Sequence, residues 1–322
     1  MRPSLFVLAV SLALPLEGRA AYPERPITLI VPFAAGGPTD VVARIVGEHM
    51  SRTLGQQLVV ENVVGAGGTI ASTKAAQATP DGYTLIMGHM GTHGAAPAVY
   101  PDLKYDPAKS FAPIGMAAGT PILIVAKKSF PAKDLKEFVA YLKKNSETLN
   151  EAHAGVGSVS FTTCAFFNSL VGAKPTRVVY RGTGPALNDL VSGQVDYMCD
   201  QIVNLVPQIQ AGTIKAYGVA LPQRSPALPD VPTTKEGGLP EFQVSAWNAI
   251  FAPKGTPPEI VKKLSDALTK ALADENTRKR LLDLGADLSD KAAQTPEGLA
   301  KLVDSEVARW NKVLKSVGAA PR

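Results

Sequence analysis

Four times along the chain a short apolar run ends in a turn of Gly, Ser or Thr and passes straight into a helix-patterned segment: residues 27–47, 58–78, 153–171 and 177–192. Parallel strands need a crossover connection, usually a helix, so this alternation predicts an α/β fold with a mainly parallel sheet. The turns at the strand C-terminal ends then collect along one edge. Two units lie in each half, and the 322 residues exceed the usual range of one compact domain. The expected architecture is two α/β lobes joined by two crossing strands, with four helix starts around one cleft.

The first unit is the most informative. Ile27-Thr28-Leu29-Ile30-Val31 reads as a strand, Pro32 to Gly37 as a turn, and residues 41–50 as a helix. Thr39 or Asp40 is the expected cap, and Ala34, Ala35, Gly36 and Gly37 have little side chain to keep a ligand from the backbone. Amides at a helix start, with the positive end of the helix dipole behind them, bind an anion without any basic side chain.

Residues 1–20 read as an export signal, with Arg2 as the basic n-region, Leu5 to Leu16 as the apolar stretch and Gly18-Arg19-Ala20 as the cleavage site. The apolar stretch is shorter than the ~20 residues of a spanning helix, and a periplasmic location follows. Export leaves two readings open for Cys164 and Cys199: a disulfide, or two buried thiols. The net charge is +5, or +4 once Arg2, Arg19 and Glu17 leave with the signal. Acidic residues interleave with the basic ones, so no nucleic-acid stripe exists.

Further along, Tyr83 to Met87 reads as a strand ending in a permissive loop, Gly88-His89-Met90-Gly91-Thr92-His93-Gly94, able to face the first turn across the cleft. Residues 100–113 look irregular, and a crossing strand begins at Pro121. The second crossing strand falls at residues 246–253, with Thr256 as the expected cap of a helix over 258–273; further amphipathic helices are predicted at 275–283 and 296–316. The implied division is 21–121 with 246–322 for the first lobe and 122–245 for the second.

Catalytic and metal signatures are weak. His89 and His93 have the spacing of a helical zinc pair, but the surrounding glycines argue against a helix and no acid lies nearby. Gly155-Val156-Gly157-Ser158 lacks the spacing of a nucleophile elbow, and no phosphate loop occurs. Asp200 ends a strand and is suited either to accept a ligand ammonium or hydroxyl or to cap the next helix. Arg181 reads as a carboxylate partner or a rim residue, and Phe33 and Phe161 as cleft walls or core. The competing functions are a binding protein, an exported hydrolase using Ser158, and a structural module.

Together, Val31 to Asp40, Glu61-Asn62 with Gly65-Ala66-Gly67-Gly68, Asp81 to Leu85, Leu228 to Thr233 and Ala252 to Pro257 resemble the Bug-type, TctC-like extracytoplasmic receptors of tripartite tricarboxylate transporters. The resemblance implies a type II-like periplasmic-binding-protein fold, no cofactor, and no enzyme activity. It implies capture of a small organic carboxylate by lobe closure, with C4 acids, aspartate and terephthalate as leading ligands. The implied partners are the membrane permease subunits of such a transporter, with a sensor-kinase ectodomain as the alternative, and the chain is expected to act as a monomer. Carried onto this sequence, Phe33 to Gly37 and Gly88 to Thr92 (with His89, Met90 and Gly91) grip one carboxylate, while Gly157, Ser158, Arg181, Thr183 and Asp200 act from the second lobe. Two positions depart from the family: Val63-Val64 replaces Arg-Pro, and Phe161 stands where a histidine is common. The second departure implies a more apolar far end of the pocket, favouring aromatic or longer carboxylates.

Overall fold

The computed structural model describes residues 22–318; the expected export signal at 1–20 lies outside them. In chain order, β1 (Ile27–Val31) leads into α1 (Pro38–Leu54), and β2 (Leu58–Asn62) passes through a glycine turn into α2 (Thr69–Ala76). β3 (Thr84–His89) enters a π-helical turn (Gly91–Ala95) and then α3 (Ala96–Val99), which precedes the long β4 (Phe111–Lys127). Next come α4 (Leu135–Asn145), β5 (Asn150–His153), α5 (Val159–Val171), β6 (Thr176–Val179), α6 (Thr183–Ser192), β7 (Tyr197–Gln201), α7 (Ile202–Gln210) and β8 (Ile214–Val219). β9 (Ser245–Pro253), α8 (Pro258–Ala273), α9 (Glu275–Asp283) and α10 (Pro296–Ser316) follow.

The strand order is β2-β1-β3-β9-β4-β7-β5-β6, with β8 also paired to β4. β1 runs parallel to β2 and β3, and β5 runs parallel to β6 and β7. Between these two parallel groups lie β9 and β4, antiparallel to each other and to their neighbours. This is the two-lobed α/β arrangement, with β4 and β9 as the crossing strands.

β4 starts at Phe111, well before the expected Pro121. Proline removes a ladder donor and glycine weakens a strand, so Pro113, Gly115 and Gly119 hide the first half of this strand in the sequence. The ladder absorbs them by shifting register between Pro113 and Gly115 and again between Met116 and Ala118. The chain thus keeps one strand through the junction of the lobes.

Helices cover both faces of the sheet. In α1 the residues Val42, Val46 and Met50 recur at four-residue spacing and are fully buried, and α1 packs on α8 and α9. On the second lobe Phe138 stacks on Tyr217 at 4.4 Å and meets Tyr197 edge-on at 5.6 Å. Cys164 of α5 and Cys199 of β7 form a disulfide with Cα atoms 5.2 Å apart, which decides between the two readings. Trp247 of β9 and Trp310 of α10 both donate to one Glu306 carboxylate oxygen, at 3.2 and 3.0 Å, tying a crossing strand to the last helix. Among the described residues no helix is long and apolar enough to cross a membrane.

Candidate binding site

The start of α1 is built differently from the sequence expectation. Gly37 is the cap and makes no side-chain capping bond, so Thr39 and Asp40 lie inside the first turn. Asp40 reaches back instead: its carboxylate accepts the Gly36 N–H at 3.0 Å, the Arg44 Nε at 2.9 Å and the Asn62 amide at 3.0 Å. Although burial works against it, these bonds and the Arg44 charge hold Asp40 below the usual carboxylate range. They brace the Phe33 to Gly37 turn from behind, and Asn62 also donates to the Phe33 carbonyl at 2.9 Å. α8 starts at Pro258 as expected, but its cap is Pro257 rather than Thr256, which donates to the Pro253 carbonyl at 2.8 Å instead.

Gly88 to Thr92 is not a loop. Gly88 and His89 pair in β3 with Ala249 and Asn248 of β9, and the chain turns at once into the π-helical segment. Glycines are tolerated there because space is short: a Cβ on Gly88 would lie 2.5 Å from the His93 ring. His89 Nδ1 accepts the N–H groups of Gly91 at 2.8 Å and Thr92 at 3.2 Å, so a neutral ring carries its proton on Nε2. Burial pushes His89 down to about 3, keeping it neutral. The ring stacks on Phe33 at 5.0 Å. His93 stacks on Phe251 at 4.2 Å inside the core, and no metal-binding cluster exists among the described residues.

From the second lobe, Ser158 caps α5 by accepting the Phe161 N–H at 3.2 Å, and Ser160 Oγ accepts the Ala154 N–H at 3.0 Å. Thr183 opens α6 and donates to Asp200 Oδ2 at 2.6 Å. Asp200 Oδ1 accepts the Gln201 N–H at 2.7 Å, and Gln201 caps α7. Beneath them Gln201 Oε1 accepts from Thr120 of β4 at 2.6 Å and Asn248 of β9 at 2.9 Å, which ties this wall to both crossing strands.

These elements meet around a cavity lined by Phe33, Gly37, Thr39 and His89 on one side and by Ser158, Ser160, Thr183, Asp200 and Gln201 on the other, with Pro38, Ala154 and Val159. No lysine or arginine lines it. The N-terminal ends of α1, α5, α6 and α7 meet it, bringing the positive ends of their helix dipoles and first-turn amides without intrahelical acceptors. With the lobes in contact the enclosed space is about 10 Å³, room for about one water, so admitting a ligand requires the lobes to part.

Other expected contacts lie elsewhere. Phe161, 4% exposed, is in the hydrophobic core with its ring edge-on to His153 at 5.2 Å and the Arg177 guanidinium at 5.1 Å. As the third residue of α5 it sits behind the helix start. Met90 is core, and the exposed Arg181 side chain does not line the cavity. Arg181 acts through its backbone: its carbonyl accepts the Ala34 N–H at 3.3 Å across the lobe seam. A second seam bond runs from Tyr100 Oη to the Val156 carbonyl at 2.7 Å. Gly91 lies at the same seam, where a Cβ would come 2.6 Å from the Gly157 carbonyl oxygen. Ala35 and Gly36 line a separate crevice on the far side of their turn. Of the four helix starts expected at the cleft, that of α2 does not line the cavity, and the start of α7 takes its place, with Gln201 rather than Asp200 at the cap; a glutamine directly after a strand, with no small turn residue, did not mark it as part of the site.

Burial raises Asp200 to about 6, against the bonds from Thr183 and Gln201. An acid whose folded pKa lies above its unfolded value stabilises the fold at low pH, and this contribution is lost as pH rises through about 6. Glu151, raised to about 7 by burial, acts with the same sign. His89 and His153, pushed down to about 3 and 4, act with the opposite sign, since their contribution is lost as pH falls below their ordinary value. The net profile is mixed, so the diagnostic quantity is a difference. The melting temperature of Asp200→Asn minus that of the wild type is expected to rise between pH 4 and 7; a pH-independent difference would contradict the assignment.

A polar cavity between two lobes, with no lysine or arginine in its lining and helix starts at its walls, is the site of a solute receptor. Residues 42–319 match the family described as the tripartite tricarboxylate transporter family receptor, TctC, and the chain belongs to that family. The structure of MatC from Rhodopseudomonas palustris with bound malate is 52% identical, with a TM-score of 0.88, covering 91% of this chain and 100% of that one. The periplasmic binding protein BugD is 43% identical, with a TM-score of 0.90 over 94% of this chain and 100% of its own. R. palustris Rpa4515 with adipate is 34% identical, with a TM-score of 0.89 over 94% of this chain and 100% of its own. The family and these neighbours are binding receptors rather than enzymes.

Proposed function

We propose that the chain is an exported periplasmic receptor that captures a C4 dicarboxylate of the malate class and delivers it to the membrane permease of a tripartite tricarboxylate transporter. The observation that carries this reading is the convergence of four helix N-termini on a cavity with no basic side chain. One ligand carboxylate takes the donors of the Phe33 to Thr39 side and His89 Nε2. The other takes the hydroxyls and amides at Ser158 to Ser160. Asp200, held by Thr183 and Gln201, accepts a hydroxyl or ammonium on the carbon chain, which favours malate or aspartate over succinate. The malate-bound relative at 52% identity supports a C4 ligand for this chain. Lobe boundaries follow the division 21–121 with 246–322, and 122–245.

Thermal denaturation with malate, aspartate, succinate, adipate and terephthalate tests this. A ligand binding only the native state at a hundred times its Kd adds about 2.7 kcal/mol, so malate or aspartate is expected to raise the melting temperature by several degrees. Equal, negligible shifts for all five would defeat the reading.

A further inference from the structure

Asn204, in the first turn of α7, is 8% exposed, and neither its Oδ1 nor its Nδ2 has a hydrogen-bond partner. It lines a crevice of about 510 Å³ between the lobes, on the far side of the Ala35–Gly36 turn from the ligand cavity. Gly36, Val41 and Leu284 belong to the first-lobe wall, and Gly184 and Asn204 to the second. α7 packs directly on α1, and its first residue, Ile202, crowds Gly285, where an added Cβ would meet Ile202 Cδ1 at 2.6 Å. The orphaned carboxamide therefore lies on the second-lobe wall of a crevice that faces the first lobe, two residues from the point where Ile202 meets it.

A buried amide without partners loses its hydration and gains nothing in return. Native structures rarely keep such a group unless it serves a purpose. If the lobes part along this crevice, the first-lobe wall formed by Val41 and Leu284 leaves α7 and water reaches Asn204. We infer that Asn204 sets the balance between open and closed receptor: closure strands its carboxamide, which biases the unliganded protein toward the open state that admits solute. Ligand binding then works against this bias, and the apparent affinity is lowered by the fraction of molecules that are not closed. Asn204 is a positioning residue acting through lobe geometry; it does not line the ligand cavity.

The inference rests on the lobe-closure reading of the site, so its test reads closure with and without ligand. Asn204→Leu, which fills a similar volume without polar atoms, is expected to lower the radius of gyration of the ligand-free protein in small-angle scattering and to tighten malate binding at least about fivefold by calorimetry. Asn204→Asp, which strands a charge instead, is expected to do the opposite on both readouts. Should Asn204→Leu not fold, Asn204→Ala decides by the same measurements. Unchanged ligand-free compactness with unchanged or weaker affinity in the apolar variant would overturn the inference. A wild type that binds no dicarboxylate, with an apolar variant that still compacts, would support the role of Asn204 and reject only the ligand assignment.

Discussion

Gly67→Ala is expected to leave the protein folded and to weaken carboxylate binding by at least about a hundredfold, although Gly67 does not line the ligand cavity. Gly67 sits in the first-lobe turn before α2, facing the Gly155–Val156 backbone of the second lobe. A Cβ there would lie deep inside the Val156 carbonyl oxygen, 2.9 Å from its carbon and 3.0 Å from Tyr100 Oη, the group that bridges the seam to that same carbonyl. The obstacle is backbone on the opposite lobe, so no rotamer change relieves it. Blocking the closed state by ~3 kcal/mol reduces affinity by about two orders of magnitude. Gly67 also has φ +59°, so alanine adds roughly 1–2 kcal/mol of strain in either state. Gly172→Ala supplies the control: its φ is +71° with nothing within 4 Å of the new Cβ, so it shares the strain without the clash. Calorimetry should show lost affinity in Gly67→Ala and wild-type affinity in Gly172→Ala. Equal affinities would mean that the seam does not close during binding.

The second large effect concerns the disulfide. Cys164 and Cys199 are fully buried and 35 residues apart in sequence. The bridge fixes α5, whose start supplies Ser158 to Ser160, against β7, whose end supplies Asp200 and Gln201. Closing a loop of that length stabilises the fold by about 2–4 kcal/mol through the unfolded chain. Cys164→Ala with Cys199→Ala should lower the melting temperature by roughly 3–6 °C and loosen ligand binding as the two walls gain freedom. Thermal denaturation under non-reducing conditions checks this, and a change of only about a degree would show that packing of the two side chains suffices without the bond.

Much of the architecture was legible because its signals are local. Strand, small-residue turn and helix recur with the right spacing, and the last three helices carry apolar stripes whose bounds the structure reproduces at 258–273, 275–283 and 296–316. Where glycine carried two meanings, sequence reasoning failed. At residues 88–94 glycines look like a loop but serve close packing of His89, His93 and Phe251 at a strand-to-helix junction. In β4, Pro113 and Gly115 look like a break but sit at register shifts in one continuous strand.

The site divided along the same line. Residues marked by turn chemistry, such as Phe33, Gly37, Ser158 and Thr183, reach the cavity, as does Asp200 at a strand end. Phe161 and Arg181 were read from their side chains, yet one is turned into the core and the other meets the first lobe through its carbonyl. The Gln201, Thr120 and Asn248 network joins residues up to 128 positions apart, and no local pattern announces it.

Small-angle scattering of the ligand-free chain and of the chain saturated with malate tests most directly the claim that this receptor works by closing on a dicarboxylate. A fall in the radius of gyration on adding malate, absent in Gly67→Ala, is the predicted result. Saturable malate binding with no compaction, or compaction that persists in Gly67→Ala, would contradict it.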